Sequence, residues 1–410
     1  MPAWLLVAAK ANLTIAEAAT KYLPLSGTSS PLSNEDNGQV LFRDSYTLSK
    51  LYVRVVSNNV DNASTVRLRK NLANGNQSVS IPANTTGVFE DTVNSDSFVN
   101  GDLAITEVIV GAGVGGDVLG IRVTSYISTS PNDVPILVAA TTGGTSVDAG
   151  VTEYACLIAG GHTDLIEAAA QYIFRTASIL SNMRIYVNAN GLTAASTHRL
   201  RKNGANGNQS VSIGAGATGS FEDAVNTDSV AVGNSLNYRM AAGATGTKIT
   251  WRLQQVKSTS IVRQMGAVRP DTTGFNFGTT NYMGLETSPE NVAAVETETQ
   301  VRARISCGGR NLLVRVTANT VDGASTISLR RNAGNTALLV SVPAAASGVF
   351  EDSDDVNISV NDLLNYMADI GGTAGAIVVT IIGFELRQPA VGIQDKSANM
   401  PAKMIAGKLI

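Results

Sequence analysis

The chain is 410 residues long, 15% charged and 5% aromatic, with a net charge of −3. Length alone suggests about three domains of roughly 100–200 residues, and the slight acidity leaves no basic field for a nucleic-acid backbone or an anionic membrane. Two cysteines and two histidines exclude a disulfide scaffold or a Cys-rich metal site, and no apolar run approaches the ~20 residues of a membrane-spanning helix.

The first apolar run, WLLVAA (4–9), lacks the basic flank and length of a signal peptide. A near-copy, PILVAA (135–140), lies inside the chain, so both read as strands and secretion by a cleaved signal is not indicated. Further strands are predicted near 19–25, 40–44, 46–57, 64–70, 77–82, 87–91, 102–110 and 118–128, because the hydrophobic period is two: Val66 and Leu68 face one way, Thr65, Arg67 and Arg69 the other. Asn74-Gly75 and Asn206-Gly207 read as tight turns, since Asn and Gly tolerate positive φ. Helical patterning is confined to 164–173 and 12–20.

Internal repetition governs the organisation. STVRLRKNLANGNQSVSI (64–81) recurs as STHRLRKNGANGNQSVSI (196–213), and a third copy begins at Ser325 as STISLRRNAGN. GVFED, GSFED and GVFED follow at 87–91, 219–223 and 348–352, at one fixed distance from the central Leu68, Leu200 and Leu329. The chain therefore divides into three all-β modules, 1–131, 132–262 and 263–388, with a tail at 389–410. About eight strands in about 130 residues points to a jelly-roll-like sandwich rather than the shorter immunoglobulin type. The modules either surround a pseudo-threefold axis or lie along a rod; the sequence is equally consistent with both.

Few residues suggest chemistry. GAGVGG (111–116) fits a dinucleotide fingerprint, but an alternating strand, not a helix, follows, so it reads as a hairpin loop. His198 takes the place of Val66 and Ile327 on the apolar face and reads as a core substitution. His162 has no identifiable counterpart. Cys156 and Cys307 occupy unrelated positions and read as buried, unbridged thiols. Glu351, Asp352, Asp354 and Asp355 cluster oxygens without the spacing of a calcium loop. No catalytic residue, metal or cofactor is expected.

Two features bear on assembly. A basic strand residue (Arg69, Arg201, Arg330) and an acidic turn (Glu90, Asp91; Glu222, Asp223; Glu351, Asp352) recur together. They read first as cross-strand ion pairs within each module, and second as charge matching between modules or subunits. The tail is too apolar for a solvated linker, with Val391, Ile393, Met400, Met404, Ile405, Leu409 and Ile410, and is expected to fold back or to clamp a neighbouring subunit.

The LRKN-x-x-x-GNQSVSI and FED motifs, followed by turns at Gly101-Asp102, Gly233-Asn234 and Asn361-Asp362, sit in a Gly/Asn/Thr-rich tandem of β modules. That organisation resembles structural proteins of tailed-phage virions, the decoration proteins and head or tail fibres. The resemblance implies a non-enzymatic subunit located in the virion, with itself or other virion proteins as partners. The alternatives are a subunit of an extracellular cell-surface filament or sheath, and a carbohydrate-binding surface protein with a glycan or host receptor. The second is weakened because Trp4 and Trp251 are in non-equivalent positions.

Overall fold

The computed structural model describes residues 3–9, 13–27, 31–131, 135–160, 163–260, 262–268, 274–287 and 292–387. The tail residues Val391, Ile393, Met400, Met404, Ile405, Leu409 and Ile410, and His162, lie outside them.

In the first module the strands are β1 (Ala3–Ala9), β2 (Thr14–Ala16), β3 (Thr20–Leu23), β4 (Val40–Leu41), β5 (Tyr46–Asn58), β6 (Ser64–Lys70), β7 (Ala73–Ile81), β8 (Gly87–Phe98), β9 (Leu103–Ile109) and β10 (Val118–Thr129). One sheet runs β1-β10-β5-β8 and the other β3-β9-β6-β7, with β2 beside β10 and β4 beside β9. Every one of these pairings is antiparallel. Leaving aside the short β2 and β4, the first, eighth, third and sixth strands face the second, seventh, fourth and fifth, which is a jelly roll.

The second module repeats this with Ile136–Asp148, Gly246–Ser258, Ser178–Leu192 and Gly219–Val230 facing Thr152–Ala155, Ser235–Ala241, Ser196–Lys202 and Ala205–Ile213. In the third, Val262–Val268, Ala376–Arg387, Cys307–Asn319 and Gly348–Ile358 face Thr280–Met283, Leu363–Asp369, Ser325–Arg331 and Gly334–Val342. The opening strand of the third module thus starts at Val262, the last residue the repeat alignment gives to the second.

Three local expectations are corrected. Of the expected helix at 12–20, the described residues 13–20 hold none: Leu13 and Ile15 are buried while Thr14 and Ala16 are exposed, a period of two that pairs β2 with β10. The helix expected over 164–173 is a single turn, Glu167–Ala170. The hairpin turns also lie earlier than the Asn-Gly pairs. They fall at Asn71-Leu72 (φ 49° and 66°), Asn203-Gly204 (51° and 73°) and Asn332-Ala333 (53° and 61°), the positive φ at both positions that a two-residue hairpin needs. Asn74-Gly75 instead enters β7 at a bulge, where the Asp96 carboxylate accepts from Asn76 N at 2.7 Å and Gln77 N at 3.1 Å. A Cβ on Gly75 would stand 3.0 Å from Asp96 Oδ1, so the glycine makes room for that carboxylate.

Every residue of β1 is buried, because the sheet it edges is covered on both faces. Leu6 joins the core of its own module, whereas Leu5, Val7, Tyr52, Val123 and Ile127 join the third module's Met283, Leu285 and Val301. In the same way Ile136, Val138 and Leu253 of the second module join the first module's core, and Leu313 and Ile381 of the third join the second's. The first module's sheet thus covers the third, the second's covers the first and the third's covers the second. The three jelly rolls close into a ring, not a rod. Each large apolar side chain buried in these seams contributes about 1.5–3 kcal/mol, so apolar burial holds the ring and the polar contacts set its register.

Candidate assembly interface

Each seam is formed by the outer face of one module's first sheet and the neighbour's segment that runs from the short helical turn into the third long strand. That segment carries an arginine at equivalent places, Arg43, Arg175 and Arg304, and each meets the FED glutamate of another module. Arg43 grips Glu222 through both guanidinium nitrogens, with Nε 2.7 Å from Oε1 and Nη2 on Oε2. Arg175 pairs with Glu351, and Arg304 with Glu90. The pairs run first to second, second to third and third to first, so they are cyclic. They are partly exposed, and each contributes about 1 kcal/mol or less; their use is to fix which face meets which neighbour.

Between these pairs the seams differ. The Gln255 amide straddles the backbone of Leu41, accepting from its N at 3.0 Å and donating to its O at 2.8 Å. Arg184 donates to Gln39 O at 2.9 Å, and burial brings its pKa down to about 10. At the next seam Tyr172 lies over Gly383, where a Cβ would come within 2.7 Å of its ring. Glu385 there takes Gln264, Arg310, Asn311 and Thr176 at 2.7–3.1 Å. All three modules meet at Arg263. Its Nη2 donates to Glu286 Oε1 at 2.7 Å and Ser26 Oγ at 3.2 Å, and its Nη1 to Ile136 O at 2.7 Å. Ser26 Oγ also donates to Glu286 Oε2. Arg263 and Glu286 are both 1% exposed. Burial raises the pKa of Glu286, and Arg263 and Ser26 oppose the rise.

The repeated charges do not pair with one another as the sequence suggests. Arg69, Arg201 and Arg330 each form a two-point pair with Glu35, Glu167 and Glu296 of the same module, at 2.8–3.2 Å. They also hold the hairpin through Asn74, Asn206 and Asn335. The aspartates are backbone caps. Asp91 accepts from Ser78 N at 3.0 Å, Val93 N at 3.2 Å and Asn94 N at 3.0 Å, and Asp223 does the same with Ser210, Val225 and Asn226. Burial pushes both carboxyls up, and these hydrogen bonds outweigh it, holding them below the usual range. Asp352 accepts from Leu339 N and Asp354 N, both at 2.9 Å. Only Glu90, Glu222 and Glu351 face another module.

Two signals for this arrangement lie in the sequence. The separation of Arg69 from Glu35 is 34 residues and recurs for Arg201–Glu167 and Arg330–Glu296, and Arg43, Arg175 and Arg304 repeat in step with the glutamates. Fixed spacing shows that a residue belongs to the repeat, but not whether its partner is in the same module.

The other candidate residues are packed. His198 is fully buried beside the Tyr238 ring, with centroids 5.1 Å apart and no hydrogen-bond partner on either nitrogen; burial lowers its pKa to about 3. Cys156 and Cys307 are free and buried, and burial pushes their thiols up to about 11 and about 12. GAGVGG joins β9 to β10. Of the acidic run at 351–355, Glu351 is engaged by Arg175 and Asp352 caps backbone. Among the described residues no group of three or more His, Cys, Asp or Glu is placed to hold a metal.

No known protein family matches the chain, and no curated protein does. Among solved structures, one chain from a study of the triple jelly roll fold and turret assembly in an archaeal virus aligns over 91% of this chain and 90% of its own. Identity is 13% and the TM-score 0.20, too low for that likeness to carry an assignment.

Proposed function

We propose that the chain is a non-enzymatic structural subunit that assembles on or into a virion, as a capsid decoration, fibre or tail component. The observation that carries this reading is the cyclic seam, Arg43–Glu222, Arg175–Glu351 and Arg304–Glu90, which makes one chain the equivalent of a trimer of jelly rolls. Such a body presents three similar outward faces and suits a place of threefold symmetry. Jelly rolls serve viral capsids and lectins alike, but Trp4 and Trp251 are 1% and 0% exposed, so neither offers a sugar a stacking platform. Against the filament reading, the apolar outer face of each module's first sheet is already used inside the ring. The tail, 389–410, is the segment proposed to reach a neighbouring virion protein.

Negative-stain electron microscopy of the purified chain at rising concentration tests this. Discrete three-lobed particles that never polymerise are expected. Long uniform filaments would overturn the reading in favour of a polymer-forming surface protein.

A further inference from the structure

The seam that closes the ring, between the first and third modules, is built with more positive charge than it neutralises. Arg54 and Arg122 come from the first module's sheet, Arg302 and Arg304 from the third module's segment, and Lys50 lies at the same seam, donating to Arg304 O at 3.2 Å. Only two carboxylates answer them among the described residues. Glu298 takes Arg122 Nη2 at 2.7 Å, and Glu90 takes Arg304, with Arg302 Nε no nearer than 4.0 Å. The Nε atoms of Arg54, Arg122, Arg302 and Arg304 are all buried without a hydrogen-bond partner, as is Nη1 of Arg122.

These side chains converge. Tyr52 is buried on the strand beside Arg54. Glu90 stands directly across from Tyr52 in the β5–β8 register, Arg54 follows two residues along on the same face of β5, and Arg302 and Arg304 both approach Glu90 Oε1. Burial raises the Tyr52 pKa, and these three arginines oppose the rise. The other two seams do not repeat this. The strand register sets Arg302 in the place of Leu41 and Ile173. The place of Arg54 is held by Tyr186 in the second module and by Arg315 in the third, so it is Arg302 that sets this seam apart. The side chain of Arg302 remains 33% exposed, so the cluster is open to solute. Buried, unpartnered guanidinium N–H groups beside excess positive charge are what a multivalent oxyanion satisfies, because the planar fork matches its oxygens.

We propose that Arg54, Arg302, Arg304 and Arg122 form a binding site for a tetrahedral oxyanion, of the phosphate or sulfate class, which bridges the first and third modules and fastens the ring at its only seam between modules not consecutive in the chain. The site does not depend on the virion reading.

Isothermal titration calorimetry of the full chain with sodium sulfate, against chloride at matched ionic strength, tests the site. One saturable site per chain is expected, weakened at least tenfold in Arg302→Leu and in Arg54→Gln. Arg302→Leu installs the residue that the first module carries at that place, so its fold is safe. Arg199→Gln, on the Ser196–Lys202 strand of the second module, should bind as the wild type does. Absence of a saturable isotherm, equal affinity in the wild type and Arg302→Leu, or binding of succinate with none of sulfate would each overturn the proposal.

Discussion

Replacing Glu286 by alanine is expected to destabilise the chain by about 3–5 kcal/mol, the usual consequence of removing one member of a buried ion pair. Arg263 stays behind at 1% exposure, with only the neutral Ile136 O, Ser26 Oγ and Met265 Sδ among its recorded partners. An unpaired charge in that place loses its hydration without compensation. The double replacement Glu286→Ala and Arg263→Met should recover most of the loss, because a buried pair adds little over an apolar pair of similar volume. Denaturant titration of the three proteins reads both effects. A single-variant loss below ~1 kcal/mol would mean that Arg263 reaches solvent when its partner is gone, and that the junction of the three modules is not closed.

His198→Val is expected to make the chain more stable, and increasingly so in acid. With a folded pKa of about 3 against 6.5 for a free imidazole, the unfolded chain takes up a proton below pH 6.5 that the folded chain refuses. Stability is therefore lost as pH falls from 6.5 towards 3, by about 2 kcal/mol at pH 5 and about 4 kcal/mol near pH 3. Valine, which Val66 already supplies in the first module, abolishes that slope. It also relieves two buried nitrogens without partners, worth about 1–3 kcal/mol at neutral pH. Melting temperatures of both proteins at pH 7.5 and 5.0 decide the matter. Equal acid sensitivity in the two would place the imidazole in contact with water.

The fold was legible because the repeats fix strand identity and a period of two fixes strand faces. Ser64–Lys70 and Tyr46–Asn58 stand within a residue of their expected bounds. The turn at Asn71-Leu72 was not, since Asn74-Gly75 offers a better turn signal and only the buried Asp96 behind it explains the glycine. The seam was half legible. Its glutamates recur in plain view, but a repeat cannot distinguish a contact within a module from the equivalent contact with the next one. The uninterrupted apolar run of β1 was the clue to a sheet covered on both faces, and it reads equally well as an ordinary core strand. Arg302, which breaks the repeat where Leu41 and Ile173 keep it, becomes informative only once the first and third modules are known to touch.

Small-angle X-ray scattering of the monodisperse full chain tests the closed ring most directly. Three jelly rolls packed against one another should give a radius of gyration of about 22–25 Å, close to that of a compact chain of this length. A value of about 30 Å or more, as for three such modules in a row, would contradict the cyclic seam and the structural role built upon it.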